Sequence, residues 1–229
     1  MTLSELRAHT RVALLRDERI PYLWTDGELD RYLNEAYRLF AVRTHCFVSS
    51  EEDFCTIDTE PGTWDYPIDP RIVQVNEAYI ETCDDASSPP TYHQLRDLTR
   101  RQQPYRGLSG RPMSYVMQVG TNRLRLSPVP DDVYTVKLVC THKPVRQLTS
   151  DGVTNAIPEE YELALCDYAA MRALRCNDPE KANMASAKEF EAQWNLTVRD
   201  AKRDLAVLRA GSDAQARGNW TGKPLQRTY

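Results

Sequence analysis

The sequence predicts an α+β protein: a four-helix bundle built from N- and C-terminal helices, an antiparallel β-domain inserted between them, and an extended C-terminal arm. Three stretches carry that expectation. From Trp24 to Thr44 a capping box opens an amphipathic helix. From Phe47 to about Leu148 the chain is rich in β-branched and aromatic residues, with turn signals at short intervals. From Phe190 to Leu208 apolar residues recur at three- and four-residue steps, as along a coiled-coil seam. The boundaries that follow are residues 1–45 for the first bundle helices, 46–150 for the β-domain, 151–210 for the last bundle helices and 211–229 for the arm.

In chain order, Thr2 with Glu5 is a first capping box, and Leu3, Leu6, Thr10, Ala13 and Leu14 form a stripe that runs to about Arg16. Arg19-Ile20-Pro21 breaks it, because proline disfavours helix in the residue before it. Thr25 with Glu28 then caps the organising helix. Its stripe is Leu29, Tyr32, Leu33, Ala36, Leu39 and Phe40, and its polar face Glu28, Arg31, Glu35 and Arg38. Within the β-domain, Asp53–Thr59 alternates, Glu60-Pro61-Gly62 is a turn, and Thr63–Asp69 reads as the return strand. Arg71–Ile80 is a long strand, Thr82–Pro90 a polar loop, and Thr91 with Gln94 caps a short helix from Tyr92 to Arg101. After a loop from Gln102 to Arg111, Pro112–Val119 and Arg123–Ser127 form a hairpin across Gly120-Thr121-Asn122, with Leu124 and Leu126 on one face and Arg123 and Arg125 on the other. Tyr134–His142 is the last strand, presenting Val136, Leu138 and Cys140 together. Val145–Asn155 is a surface loop.

Pro158 with Glu159 and Glu160 starts the third helix, where proline is tolerated early and acids meet the positive end of the dipole. It is apolar on two sides: Tyr161, Ala164, Leu165, Tyr168 and Met171 on one, Leu163, Cys166, Ala170 and Leu174 on the other. Such a helix is buried in a bundle. Asn177-Asp178-Pro179-Glu180 breaks it before the last helix, and Gly211 closes that one. Residues 211–229 hold too few large apolar groups for a core of their own. Their anchors are Trp220, Leu225 and Tyr229, and their charge is locally basic through Arg217, Lys223 and Arg227.

Composition excludes several classes. With 229 residues, 41% apolar and 27% charged, the chain reads as an ordinary globular protein. A net charge of -4 argues against a dedicated nucleic-acid binder. No apolar run approaches the ~20 residues that cross a bilayer, so no membrane partner is expected. The N-terminus lacks the charged and apolar regions of a signal peptide. Six scattered cysteines without a CxxC read as reduced thiols, several of them buried.

No catalytic pattern emerges. His45-Cys46 and the Cys140/His142 pair lack the second pair a zinc site needs, and Asp84-Asp85 and Asp131-Asp132 read as solvated loop acids rather than calcium ligands. There is no GxSxG, P-loop or GxGxxG. The expectation is no catalytic residue, no metal and no cofactor. A cluster of Arg96, Arg100, Arg101, Arg106 and Arg111 around Tyr92 and Tyr105 is either a solvated loop or a contact surface for a neighbouring subunit or a polyanion.

The order of segments LWTDGELDRYLNEAYRLFAVRT (23–44), WDYPIDPRI (64–72), GRPMSYVMQVGTNRLRLSPVPDDVYTVKL (110–138), IPEEYELALCDYAAMRAL (157–174) and DPEKA (178–182) resembles the phage head-to-tail adaptor, or connector, proteins of short-tailed phages. The resemblance spans most of residues 1–210. It implies a structural virion protein, assembled in the host cytoplasm, that forms a ring of typically twelve copies at the capsid vertex. Its partners would be other copies of itself, the portal protein above and a tail nozzle or tail tube protein below, with double-stranded DNA passing through the lumen without sequence readout. On that implication Arg217, Trp220, Lys223, Leu225, Arg227 and Tyr229 form the portal-binding arm. Arg96, Arg100, Arg101, Tyr105, Arg106 and Arg111 form a subunit or tail contact loop. Two other classes compete: a hydrolase with a dispersed site in the β-domain, requiring a concave pocket with perturbed carboxylates, and a nucleic-acid-binding module using the arginine loop.

Overall fold

The computed structural model describes residues 1–82, 91–98, 108–118, 122–149, 157–176 and 182–218. They divide into a helical unit, made of Met1–Cys46 and the chain from Gln147 onward, and a β unit, Phe47–Arg146.

The helical unit opens with α1 (Leu3–His9), capped as its sequence predicts: the Glu5 amide donates to Thr2 Oγ1 and the Thr2 amide to Glu5. Helix α2 (Asp26–Thr44) carries the second capping box, with the Thr25 amide 2.8 Å from Glu28 Oε2, and ends on His45 in the left-handed region at φ 59°. Its buried face is Leu29, Tyr32, Leu33, Ala36, Tyr37, Phe40, Ala41 and Thr44. A 3₁₀ turn (Glu159–Tyr161) leads into α3 (Leu163–Leu174), of which nine residues are buried. Helix α4 (Met184–Gly218) starts on Asn183, whose side chain accepts from the Ser186 amide. Its side chains Ala187, Trp194, Val198 and Ala201 are buried. Helices α2, α3 and α4 pack on one another. At their centre the Trp194 ring lies edge-on to Phe40 at 5.9 Å and 5.1 Å from Tyr168.

The predicted four-helix bundle is not what the chain forms. It is α+β, with helices at the ends and two mostly antiparallel sheets in the middle. The first helix is only two turns long, and the reason lies at Thr10–Leu14, which winds as a π-turn. The extra residue per turn rotates the stripe, so Val12 is half exposed and Arg11 turns inward instead. Arg11 donates to Asp17 and to Asp26, each at 2.7 Å, and Asp17 also accepts from the amides of Leu23 and Trp24. A buried cation that needs two carboxylates thus replaces the apolar seam a fourth long helix requires. Leu23 stays exposed, and Trp24 is the residue that packs, its Nε1 donating to Ala173 O at 3.3 Å.

The extended stretch expected from Gly211 is helical up to Gly218. Gly211 does not close α4, which continues to Gly218. A single glycine costs about 1 kcal/mol in a helix, and the alanines around it, Ala206, Ala210, Ala214 and Ala216, are the best helix formers.

One carboxylate in this unit is costly. Asp167 sits partly buried on α3 with no hydrogen-bond or ion-pair partner among the described residues, and burial raises its pKa from 3.8 to about 6. The folded state therefore holds a proton that the unfolded state has lost between these two values, and stability falls as pH rises through that window. Asp167→Asn removes the effect. Its expected gain at pH 8 is about 1–2 kcal/mol after allowance for solvent screening. Melting curves of both proteins from pH 4 to 8 should diverge as pH rises to 6 and run parallel above it.

The β unit contains β1 (Val48–Ser49), a 3₁₀ turn (Asp53–Cys55), β2 (Thr56–Asp58), β3 (Asp65–Pro67), β4 (Ile72–Thr82), β5 (Thr91–Gln94), β6 (Arg96–Asp97), β7 (Ser114–Gln118), β8 (Arg123–Ser127) and β9 (Thr135–His142). One sheet runs β1-β9-β4-β5, with β2 also on β9; the other runs β3-β8-β7-β6. All pairs are antiparallel except β6 with β7. Between them lies a core of Tyr66, Ile68, Ile72, Val75, Ala78, Ile80, Leu95, Tyr115, Leu124, Leu126, Val136, Leu138 and the thiols of Cys55 and Cys140.

The hairpin β7–β8 and the inward faces of β8 and β9 follow the sequence pattern. Two expectations fail. Residues 53–59 and 63–69 do not form a hairpin: β2 joins β9 and β3 joins β8, in different sheets. The Glu60-Pro61-Gly62 turn exists, with Gly62 at φ 80° and the Thr63 amide bonded to Glu60 O, but it passes the chain from one sheet to the other. The capped helix from Tyr92 is also absent from the described residues. A cap signal without an apolar stripe behind it cannot compete with the free edge of β4, which Thr91–Gln94 joins in register Tyr79↔Gln94 to Thr82↔Thr91. Residues 83–90 of the expected loop, 99–107, the turn residues Gly120 and Thr121, the stretch up to Asn155 from residue 150, and the break at 177–180 lie outside the described residues.

Candidate functional site

Leu95 is where the chain leaves one sheet for the other. Its amide donates to Ala78 O in the first sheet, and the next amide, of Arg96, donates to Met113 O beside the second. Its side chain is buried. With Ile80 it belongs to a pocket of about 410 Å³ whose other walls are His93, Gln94, Arg111, Pro112 and Met113. Arg96 and Arg111 are both exposed, and Met113 is 72% exposed. Neither guanidinium has an ion-pair partner among the described residues. An apolar pocket beside exposed cations suits an apolar side chain with acidic neighbours. Of the residues expected to form the contact loop, Arg111 walls this pocket and Arg96 follows Leu95 on β6; Arg100, Arg101, Tyr105 and Arg106 lie outside the described residues.

The outer face of the first sheet holds a larger groove, about 650 Å³, lined by Ser50, Glu51, Thr56, Tyr79, Tyr92, Lys137 and Val139. Lys137 Nζ donates to Tyr92 OH at 2.8 Å, lies over the Tyr92 ring and is 3.5 Å from Glu81. The Tyr79 hydroxyl donates to Glu77, and that bond, with burial, pushes its pKa up to about 12. The bond to Tyr92 likewise raises the Lys137 pKa. The groove is thus a fixed array of donors with one carboxylate, Glu51, among its walls. The sequence reading missed it. The signal is the alternation Glu77, Tyr79, Glu81 along β4, which means nothing until the register Tyr79↔Lys137 is known.

In the helical unit, a pocket of about 390 Å³ lies between Pro158, Glu160 and Tyr161 on one side and Asp204, Leu205 and Val207 on the other. Tyr161 OH donates to Asp204 at 2.9 Å, which raises the tyrosine pKa and lowers that of the acid. Val207 is 65% exposed. Beyond it α4 runs on to Gly218. Arg217 falls in its last turn, and Trp220, Lys223, Leu225, Arg227 and Tyr229 lie outside the described residues.

Among the described residues no three His, Cys, Asp or Glu side chains converge as metal ligands. The carboxylate that burial raises to about 6, Asp167, belongs to α3 and walls none of these pockets. The surfaces present recognition chemistry: donors, exposed guanidinium groups and apolar seats.

The sequence profile of the SU10 adaptor protein family matches residues 1–220, so it takes in both units. The chain belongs to the SU10 adaptor protein family. The family is one of structural phage adaptors, which makes this chain a virion component that works among portal and tail components. No curated protein matches the sequence.

Proposed function

We propose that this adaptor forms a ring, typically of twelve copies, between the portal and the tail at the capsid vertex, continuing the channel through which DNA leaves the head. The family match across residues 1–220 carries the reading. The geometry supports it in two places. Helix α4, at 35 residues, spans roughly 50 Å. Among its described side chains, which run to Val207, the last buried one is Ala201, and the basic segment 219–229 follows the helix in the sequence. That segment, with Arg217, Trp220, Lys223, Leu225, Arg227 and Tyr229, docks on the portal. The pocket walled by Arg111, with Arg96 and, between them in the sequence, Arg100, Arg101, Tyr105 and Arg106, receives a neighbouring subunit or the next tail component. A net charge of -4 suits a lumen that lets DNA slide past rather than holding it.

The test is a count. Quantitative mass spectrometry of purified particles is expected to find this chain and the portal protein in equal numbers. Absence from mature particles would overturn the reading.

A further inference from the structure

Two thiols at the heart of the β unit are placed for a bond that the fold does not require. Cys55 ends the 3₁₀ turn before β2, and Cys140 lies on β9, 85 positions later. Both side chains are fully buried in the core between the sheets. Their sulfurs are 3.0 Å apart, and each thiol also faces the Ser49 carbonyl, at 3.6 and 3.7 Å. A disulfide needs the sulfurs to close to ~2.05 Å, a movement of about an ångström. Among the described residues the other cysteines are Cys46, Cys166 and Cys176, and Cys46 and Cys176 are partly exposed. The Cys55–Cys140 pair is thus singled out by proximity and by seclusion from solvent.

We propose that Cys55 and Cys140 are a disulfide-forming site, reduced when the chain folds and oxidised by a small-molecule disulfide or an equivalent two-electron oxidant. With glutathione disulfide the step is a balanced exchange. One protein thiolate attacks the oxidant, releasing one glutathione and leaving a mixed disulfide. The second thiolate displaces the other glutathione, so the protein loses two hydrogens and the oxidant gains them. The occasion rests on the virion reading: an adaptor assembled in reducing cytosol travels in a particle that leaves the cell for an oxidising medium.

Burial sets the kinetics. It pushes the pKa of both thiols up, that of Cys140 well above its ordinary value, so little thiolate is present while the unit stays closed. Oxidation therefore waits for the short 3₁₀ turn and β2, a three-residue strand, to lift from β9. Once formed, the bond is shielded from reducing thiols by the same core. It ties the edge of the first sheet to a strand at its centre and closes a long loop, the case in which a cross-link restricts the unfolded chain most.

The experiment uses the purified full chain, held a few degrees below its melting point with glutathione disulfide, then acid-quenched, alkylated with N-ethylmaleimide and mapped by mass spectrometry. Expected is a peptide pair linking Cys55 to Cys140, a mass lower by two hydrogens, and a raised melting temperature that strong reductant reverses. Cys55→Ser and Cys140→Ser should each abolish both the link and the shift, and Cys140→Ala serves as a replacement should the serine disturb the core. Glutathionylation of Cys46 and Cys176 reports that the oxidant is active. If those two react while Cys55 and Cys140 are both recovered alkylated, the proposal fails. Finding the linked peptide in the pure chain but reduced thiols in purified particles would keep the chemistry and overturn its link to the virion.

Discussion

Removing residues 219–229 is expected to leave an adaptor that folds normally and no longer joins the portal. The cut falls after Gly218, where α4 ends, so no described element loses a residue. Among the described side chains of that helix the last buried one is Ala201, and removal of residues outside a packed core changes stability by no more than about 0.5 kcal/mol. What the truncation removes is the one aromatic and basic stretch, Trp220 to Tyr229, after the helix. Aromatic anchors dominate binding, each worth about 2 kcal/mol or more when lost from a contact, so co-purification with portal rings should fall to background while the melting temperature holds. Trp220→Ala alone should account for much of the loss. Normal incorporation of the truncated chain into particles would end the arm's role and leave the ring reading to stand on the mass count.

The second large effect is on folding. Trp194→Ala is expected to destabilise the helical unit by about 3–5 kcal/mol, a sizeable part of the 5–15 kcal/mol that ordinarily holds a domain together. Trp194 is 2% exposed and its ring is the piece that Phe40 of α2 and Tyr168 of α3 both pack on. Its loss opens a cavity where three helices meet, beside the Tyr168–Glu35 hydrogen bond of 2.7 Å that ties α3 to α2. Trp194→Phe should cost less. The indole Nε1 is buried without a hydrogen-bond partner among the described residues, so phenylalanine keeps ring volume while removing an unsatisfied donor. Urea unfolding of the three proteins separates these outcomes. Equal midpoints for wild type and Trp194→Ala would mean that the packing of α4 contributes little.

The two capped helix starts were legible because a capping box is local: Thr2 with Glu5 and Thr25 with Glu28 need only their own backbone to act. The stripe of α2, the buried character of α3 and the β7–β8 hairpin were legible for the same reason. The first helix misled because its stripe looked unbroken through Ala13 and Leu14. Nothing in residues 1–16 says that Arg11 will turn inward, since its partners Asp17 and Asp26 lie ahead in the chain. Thr91 with Gln94 misled in the same way, because the edge of β4 that captures it is set by a distant strand. The candidate surfaces were half legible. Arg96 and Arg111 stood out as charge, whereas the pocket beside them depends on Leu95 crossing between sheets, and the Lys137 groove depends on register.

The sequence by itself determined where the helices and most strands lie, that a β-rich segment interrupts two helical ones, and, through the order of its segments, the adaptor family. Periodicity, caps and turns act over a few residues, and the chain carries them wherever it goes. Only the tertiary structure decided that the middle is two sheets, that α1 stops short, and that Cys55 meets Cys140. Each of these is a choice between local preferences of about 1 kcal/mol and partners tens of residues away, and the partner prevails because burial and pairing in the folded core are worth more.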